Sequence, residues 1–476
     1  MPRLKPALLP ASLNRRDFLF HGGMGLGAIA LSALLGREQA RAGVLAPKPQ
    51  HLPAKAKRCI FLLMEGGPSH IDTFDPKPQL AKLHMTEFAK ERTKFAAAMN
   101  TGKRYYVQSP FEFRRAGKLG IEINAGFERF AGVVDNVCFY RGLQAESVNH
   151  PTALYHLNTG NQFGGDPAVG AWASYGLGTE NENLPAFVVL PDVAYPQGGA
   201  ANWSNGFLPA HYQGTGLRSQ GAPILDMNPP PGVREEQQRR TLDLLGGLNR
   251  LHRERHPQHA ELDARIASYE LAFRMQAEMP GVVDLEREPR ATLEMYGVGD
   301  ADKEVDSIAR RCLLARRMIE AGVRFVQVIV SGWDSHDYIE KAHGARIRAI
   351  DKPVAALLAD LDRTGLLDET LVVWAGEFGR SPDNGIRGDG KAWGRDHNAK
   401  AMNVWLAGGD APRGKIVGAT DEVGGEAVEV AHPLKNFHVT LLRLLGLDDS
   451  KLTYFHAGRD KQLSQTGGES ISELIA

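Results

Sequence analysis

The sequence predicts an α/β fold, a three-layer sandwich in which helices cover both faces of a mainly parallel central sheet. Short continuous apolar runs recur along the chain, and helical stretches lie between several of them. Polar residues cluster directly after these runs. That placement is typical of parallel sheets, whose strands end at a binding crevice.

The predicted strands are apolar runs without polar alternation, the pattern of strands that are buried on both faces. They are 58–64 (RCIFLLM), 136–143 (NVCFYRGL), 186–191 (AFVVLP), 323–330 (VRFVQVIV), 370–375 (TLVVWA) and 402–407 (MNVWLA). Helices are predicted between the later strands, at 303–322 and 349–365.

Residues 1–42 are predicted to be a twin-arginine export signal. Arg15 and Arg16 precede a modest apolar stretch, and Ala40-Arg41-Ala42 forms an A-x-A cleavage pattern. An N-terminal membrane anchor is the alternative, but glycines interrupt the apolar stretch, which falls short of the ~20 residues that a spanning helix needs. We therefore expect the mature chain in the periplasm or outside the cell, with the twin-arginine export machinery as a partner.

Beyond the signal, the sequence predicts one large domain. Residues 43–57 are rich in proline and lysine and read as an exposed lead-in, 58–465 as the α/β domain and 466–476 as a C-terminal tail. The Gly/Pro/Asn-rich and then charged stretch at about 196–290 breaks the alternation of strands and helices. We interpret it as an insertion that packs against the same core.

Charge and cysteine content exclude some classes of protein. Six of the 56 basic and two of the 56 acidic residues lie in 1–42, so the mature chain carries a net charge of about −4. Such a chain has no electrostatic attraction for nucleic acid or for an anionic membrane, and no later segment is long enough to span a membrane. Three scattered cysteines (Cys59, Cys138, Cys312) do not form a disulfide framework.

The candidate site residues follow the predicted strands or directly precede one. Because ligand sites of open parallel sheets lie at the carboxyl ends of the strands, we expect these residues to converge on one crevice. They are Glu65 and Asp72 after the first strand, Asp334 and His336 after 323–330, Glu377 and Arg380 after 370–375, and Arg395, Asp396 and His397 before 402–407.

Carboxylates and neutral imidazoles together indicate a divalent metal site, which a hydrolase uses to polarise an ester oxygen or to generate a nucleophile. Arginines suit a tetrahedral anion, which a guanidinium binds through paired hydrogen bonds. Structural alternatives stay open: Asp334-Ser335-His336 is also typical of a turn, and Glu377 could pair with Arg380 at the surface. The shared position of these residues next to strands favours the metal site.

A further candidate segment lies at 146–160 (ESVNHPTALYHLNTG). Asn149, His150 and Thr152 stand at the start of a helix-like run, and a helix N-terminus next to such side chains binds an oxyanion. A capped structural helix is the alternative.

Several motifs together resemble a bacterial family, domain-of-unknown-function family 1501, whose members are usually exported by the twin-arginine route and are placed in the alkaline phosphatase and sulfatase superfamily. The resemblance covers about residues 58–465. Its motifs are MEGGPSHIDTFDPKP, NHPTALYHLNTG, GDPAVGAWASYGLGTENENLPAFVVL, GWDSH, GEFGRSP, GRDHN, WLAGG, GATDEVG and HVTLLRLLGLDDSKLTY.

The resemblance implies an alkaline-phosphatase-like fold and a set of roles. Asp334 and His336 look like one part of the superfamily's metal-ligand set and His397 like its last ligand, with Asp396 beside it. Glu377-Phe378 stands where the superfamily has Asp-His. His150 lies at or near the position of the superfamily's nucleophile, and Thr152 is the nearest hydroxyl. The chain lacks the Cys-x-Pro-x-Arg signature, so formylglycine chemistry is not expected.

Our first functional hypothesis is therefore an exported metal-dependent hydrolase of phosphate or sulfate esters, acting on a small-molecule or glycan ester. Zinc, calcium, manganese or magnesium would be bound by Asp334, His336, Glu377 and His397, with Asp72 and Asp396 as possible ligands. Arg380 and Arg395 would contact the anion, and Thr152 or His150 would be the nucleophile or acid/base. The alternative is a non-catalytic exported protein that keeps the fold and binds a glycan or a protein.

Overall fold

The computed structural model describes residues 45–88, 103–218, 223–224, 232–255, 260–385 and 393–476, so the predicted signal at 1–42 lies outside the described residues. The strands are β1 (Arg58–Met64), β2 (Phe113–Ala116), β3 (Ile121–Asn124), β4 (Val137–Gln144), β5 (Phe187–Leu190), β6 (Thr215–Gly216), β7 (Phe325–Val330), β8 (Thr370–Ala375), β9 (Gly379–Arg380), β10 (His397–Asn398), β11 (Met402–Ala407), β12 (Lys415–Val417), β13 (Ala419–Thr420), β14 (Ala427–Glu429), β15 (His432–Pro433), β16 (Tyr454–His456) and β17 (Arg459–Lys461).

Nine of these strands form one central sheet in the order β12-β4-β11-β8-β1-β7-β5-β6, with β15 also paired to β4. Of the central strands described, β11 alone runs against its neighbours, β4 and β8; the other pairings are parallel. The prediction of an α/β fold with a mainly parallel sheet is confirmed. The remaining strands form two-stranded ribbons, β2-β3, β9-β10, β13-β14 and β16-β17.

Helices pack on both faces of the sheet. They are α1 (His70–Thr73), α2 (Gln79–Leu83), α3 (His150–Thr159), α4 (Val169–Leu177), α5 (Glu235–Arg255), α6 (Ala260–Val283), α7 (Arg290–Tyr296), α8 (Lys303–Glu320), α9 (Ile339–Arg363) and α10 (Leu434–Leu444). Helices α8 and α9 share a core with one face of the sheet. Helix α4 packs on β5 and β7, and α10 on β4.

The central strands are apolar throughout because both of their faces are covered. In β1, alternate residues point to opposite faces, and Ile60, Leu62 and Met64 enter the core formed with α8 and α9. Trp374 of β8 and Trp405 of β11 stack at 6.3 Å on the same face. Burial of these rings fixes the register of the two strands, since a shift of one residue would turn them to the other face.

Helix α9 begins ten residues before the predicted start at 349, at Ile339. Its buried positions Ile339, His343, Ile347 and Ile350 are spaced as one face of a helix, but charged residues between them obscure the apolar pattern in the sequence. The predicted helix at 303–322 corresponds closely to α8.

Residues Pro47–Ala476 form one compact unit. The stretch that we interpreted as an insertion adds the edge strand β6 to the sheet and buries Met275 and Met279 of α6 in the core. The C-terminal residues also pack inward, since Ile471 and Leu474 are buried. Among the described residues, no helix is both long and apolar enough to cross a membrane.

Candidate metal centre

Five segments meet at the carboxyl edge of the sheet. Strands β4, β1, β7 and β8 all end there, so the residues after each of them lie close together. Because β11 runs in the opposite direction, its start lies at the same edge. This is why His397, which precedes β11, reaches the same place as residues that follow the other strands.

Asp334 is the centre of this cluster. Its carboxylate lies 3.4 Å from Nε2 of His150, 2.9 Å from Nε2 of His336 and 3.3 Å from Nε2 of His397. Arg380 donates to the same carboxylate at 2.8 Å. Burial alone would raise the pKa of Asp334, but the three imidazoles and the guanidinium beside it outweigh burial and hold the pKa below its usual range.

His150 is held by the start of α3 and by Glu377. It is the first residue of α3, whose N-cap Asn149 accepts the backbone N–H of Thr152. Its Nδ1 lies 2.6 Å from Oε1 of Glu377, so Nδ1–H donates there and Nε2 is the nitrogen that faces Asp334. Burial lowers the pKa of His150, but the nearby carboxylates of Asp334 and Glu377 raise it to about 9.

His397 is oriented by a backbone carbonyl. Its Nδ1 lies 2.8 Å from the carbonyl oxygen of Val148, which leaves Nε2 to face Asp334. Pairing of β10 with β9 places His397 opposite Arg380 and fixes the backbone on which the imidazole is carried. Burial lowers the pKa of His397 below its ordinary value, because it outweighs the attraction of the Asp334 carboxylate.

His336 completes the set of three imidazoles around Asp334. Its ring lies 4.5 Å from that of His397, centre to centre, and its buried Nδ1 has no hydrogen-bond partner among the described residues. Phe378 packs against the rings of His150 and His397, at 4.9 Å and 4.5 Å. The phenyl ring shields one side of the cluster from water.

The donor atoms fit a divalent metal. One ligand atom each from His150, Asp334 and His397 lies within 4.8 Å of the other two, a spacing that a single ion can bridge. Nε2 of His150 is buried without a hydrogen-bond partner among the described residues. Such an orphaned nitrogen, aimed at a carboxylate, is what a ligating imidazole looks like before the ion binds.

Glu377, predicted as a ligand, lies behind His150. Its buried carboxylate accepts the backbone N–H of Gly66 at 3.0 Å and that of Gly67 at 3.2 Å, in addition to Nδ1 of His150. Gly66 is required here, because its φ is +115° and a Cβ would lie 2.3 Å from the backbone nitrogen of Asp334. The arrangement is the carboxylate–histidine pair that orients metal ligands from the second layer.

Both predicted anion-binding arginines are fully buried. Arg380 donates to the carbonyl oxygens of Gly66 and Gly67 and to Asp334. Arg395 forms a bidentate pair with Asp72, with Nε–Oδ2 at 2.5 Å and Nη2–Oδ1 at 3.2 Å. Asp72 is therefore engaged with Arg395 and not with the Asp334 cluster. Both arginines form hydrogen bonds that connect different loops of the chain.

Two further predicted residues lie beside the cluster. Asp396 accepts the backbone N–H of His397 at 2.9 Å and pairs with Arg104 at 2.9 Å. The hydroxyl of Thr152 donates to Asn149 at 3.0 Å. In the described part of the chain, no hydrogen bond joins Thr152 to Asp334 or to the three imidazoles.

Two further groups belong to the surroundings of the cluster, and only one of them had a signal in the sequence. The carbonyl of Val148 orients His397 through a backbone contact, which residue type does not encode. Glu65 follows β1 directly and lies near Glu377 and His150; burial and the charge of Glu377 raise the pKa of Glu65. Its position directly after the first strand had made Glu65 a candidate site residue, and the structure places it near the cluster.

The fold and the cluster define an α/β protein with a candidate metal centre at the carboxyl edge of a mainly parallel sheet. The chain belongs to the family described as protein of unknown function DUF1501, whose profile matches residues 56–475. The family prediction made from the motifs is confirmed. No protein with a curated description matches the chain.

Several solved structures are similar at low identity. A mutant of the TAB5 alkaline phosphatase with Mg bound, from an Antarctic bacterium, is 10% identical, covers 84% of this chain and 100% of its own, and has a TM-score of 0.33. The lipoteichoic acid synthase LtaP from Listeria monocytogenes is 9% identical (85% and 76% covered, TM-score 0.34). The PsFucS1 sulfatase from Pseudoalteromonas sp. is 13% identical (94% and 79% covered, TM-score 0.30).

Glutamine at Glu377 is expected to weaken metal binding about 10–100-fold, the usual effect of losing a carboxylate behind a ligating histidine. Its amide would turn an N–H donor toward the N–H groups that Glu377 now accepts. Competition against a chelator measures the affinity. Glu369→Gln, at an exposed carboxylate paired with Lys57, is the control and should change nothing. Equal affinities for both variants would remove Glu377 from this role.

Proposed function

We propose that this protein is an exported metal-dependent hydrolase of phosphate or sulfate esters. The observation that carries the proposal is the convergence of three imidazoles on Asp334. Two of these rings are oriented through Nδ1: that of His150 by Glu377 and that of His397 by the Val148 carbonyl. A histidine set oriented in this way costs too much desolvation to serve packing alone.

The ligands in this proposal are Asp334, His150 and His397, with His336 as the fourth. Three nitrogens and one carboxylate suit zinc, or manganese, better than calcium or magnesium, which prefer oxygen ligands. When bound, such an ion would polarise an ester oxygen and lower the pKa of a bound water. Compared with our sequence-based hypothesis, His150 moves into the ligand set and Glu377 moves behind it.

The remaining residues position this set. Glu377 accepts the Nδ1–H of His150, so that Nε2 is the nitrogen left to ligate a metal ion. Arg380 fixes one oxygen of Asp334 and ties the loop after β1 to the loop after β8. Phe378 excludes water from one side. Thr152 remains the candidate nucleophile, and to act it would have to release Asn149.

Metal analysis and an ester panel test this proposal. The purified protein is expected to retain about one equivalent of zinc or manganese through gel filtration and to hydrolyse aryl phosphate or aryl sulfate esters, with loss of hydrolysis after chelation and recovery on adding metal. Thr152→Ala should lower kcat strongly if Thr152 is the nucleophile, and Thr152→Ser should restore part of it. Metal retention without turnover of any ester would contradict the hydrolase.

A non-catalytic role as a glycan- or protein-binding protein is the second candidate. It is favoured by the engagement of Thr152 with Asn149 and of both predicted anion-binding arginines with protein groups. In that case metal binding would stabilise the fold, Thr152→Ala would be silent, and binding would depend on the stretch at about 196–290. A raised melting temperature with metal, without hydrolysis, is its expected signature.

The proposal includes export through the twin-arginine machinery, with cleavage after Ala42. Replacing Arg15 and Arg16 together by lysine is expected to leave an uncleaved precursor in the cytoplasm, because the pair is the export signal. Cell fractionation and N-terminal sequencing measure this. Arg3→Lys is the control and should export normally. Normal export of the double variant would contradict this route.

A further inference from the structure

A cavity of about 610 Å³ lies at the same edge of the sheet as the candidate metal centre. It opens off the carboxyl ends of β5 and β6, where Leu190 and Leu217 line it, and is closed on the other side by the first half of α8. Ligands of open α/β sheets bind at this edge, and volumes of roughly 300–1,000 Å³ are usual for small-molecule sites. None of the roles proposed above uses this cavity.

The floor of the cavity is apolar. Leu190, Leu217 and Leu314 are buried in the core and contribute side chains to its wall, and Leu285 adds a partly buried one. An apolar wall of this size, kept open at the surface of a folded chain, is typical of a site that takes an apolar ligand body.

The mouth of the cavity carries cations. Arg310 pairs with Asp306 at 3.0 Å, and the lining carboxylate of Asp284 pairs with Arg287 at 3.5 Å. Among the lining groups for which the described part of the chain shows no ion pair, Lys303 and Arg218 are cations and Glu286 is an anion. Two cations against one anion give the mouth a positive balance, which complements a ligand with one negative charge.

A buried arginine connects the cavity to the strand that leads to the metal centre. Arg311 is 6% exposed and lines the cavity; its guanidinium donates to the carbonyl of Ile329 in β7 and pairs with Asp192 at 3.4 Å. Asp192 in turn accepts the backbone N–H of Ser331 at 3.1 Å. The wall of the cavity is thereby fixed to β7, which precedes Asp334, and is preformed.

We propose that this cavity binds an anionic amphiphile, a molecule with an alkyl or aryl body and one negatively charged head. The body lies on the leucine floor, and the head lies at the mouth between Lys303 and Arg218. The site is separate from the metal centre and does not depend on the hydrolase proposal.

Calorimetry with decanoate and decanol on the full chain tests the proposal. Decanoate is expected to bind with one site per chain, and decanol at least about fivefold more weakly, because it lacks the charge that Lys303 and Arg218 recognise. Ser307→Trp, which places an indole in the cavity, should weaken decanoate binding at least about tenfold. Lys303→Gln, at an exposed position, should weaken it about threefold or more.

Ser472→Trp, at an exposed position outside the cavity, is the matched control and should bind decanoate as the parent does. Melting curves and metal content establish that each variant is folded. No decanoate binding by the parent, equal affinity for decanol, or unchanged affinity in both Ser307→Trp and Lys303→Gln would each overturn the proposal. None of these results bears on the hydrolase, which the ester panel tests.

Discussion

Alanine at Asp334 is expected to reduce bound metal to background and to abolish ester hydrolysis. Asp334 is the one carboxylate among the proposed ligands, and the three imidazoles face it. Without it, an ion would be held by neutral nitrogens alone, beside the buried charge of Arg380. We expect a loss of more than about 100-fold in metal affinity, larger than the effect of changing a residue behind a ligand.

Metal titration with a fluorescent chelator measures this loss. Asp337→Asn is the matched control, because Asp337 is an exposed carboxylate in the same loop and is not among the proposed ligands. Asp334→Glu should keep part of the affinity, since it retains the carboxylate but moves it. If Asp334→Ala held metal as tightly as Asp337→Asn, the centre would lie elsewhere.

Asparagine at Asp72 is expected to lower the free energy of unfolding by about 3–5 kcal/mol, the usual cost of leaving one partner of a buried ion pair uncompensated. Both side chains of the Asp72–Arg395 pair are fully buried. Arg395 also donates to the carbonyls of Val107 and Ser381, so its guanidinium cannot turn to solvent.

Urea unfolding of the variants measures this cost. The double variant with leucine at Asp72 and methionine at Arg395 should lose less unfolding free energy than Asp72→Asn, because it buries no unpaired charge. Asp362→Asn is the control; its pair with Arg413 is half exposed, so a loss below about 1 kcal/mol is expected. A loss for Asp72→Asn as small as that of the control would contradict this account.

The Asp72–Arg395 pair also makes the stability of the folded protein depend on pH. Burial raises the pKa of Asp72, but the charge and hydrogen bonds of Arg395 outweigh burial and lower the pKa below the ordinary 3.8. Its stabilising contribution is therefore complete above the unfolded-state pKa and is lost as the pH falls through the lowered, folded-state pKa. We expect the difference in stability between the parent chain and Asp72→Asn to be constant from neutral pH down to about pH 4 and to shrink below it.

The sequence was sufficient to predict the sheet and the edge at which the site lies. Continuous apolar runs mark strands that are buried on both faces. Because ligands bind at the carboxyl ends of parallel strands, the sequence alone predicted that Asp334, His336 and His397 lie close together. The direction of β11 was not visible in the sequence, although it is the reason that His397, ahead of its strand, reaches the edge.

The division between residues that face the cluster and residues that support it could not be predicted. An arginine next to a metal-ligand motif looks the same in the sequence whether it faces a substrate or is buried. Arg380 and Arg395 are buried and donate hydrogen bonds to backbone carbonyls. In our proposal His150 takes the ligand role that the sequence suggested for Glu377, and the sequence could not have indicated this for the same reason. Which of them faces Asp334 depends on the turn at Gly66 and on the start of α3, both set by tertiary contacts.

Anomalous diffraction from crystals of the metal-loaded protein, recorded on both sides of the zinc absorption edge, tests the central claim most directly. The account predicts one strong peak about 2.0–2.2 Å from Nε2 of His150, Nε2 of His397 and an oxygen of Asp334, with Nε2 of His336 as the fourth ligand. Glu377 should remain outside ligand distance, still bonded to Nδ1 of His150. A peak away from Asp334, or a fully loaded protein with no ion between these three side chains, would contradict the account.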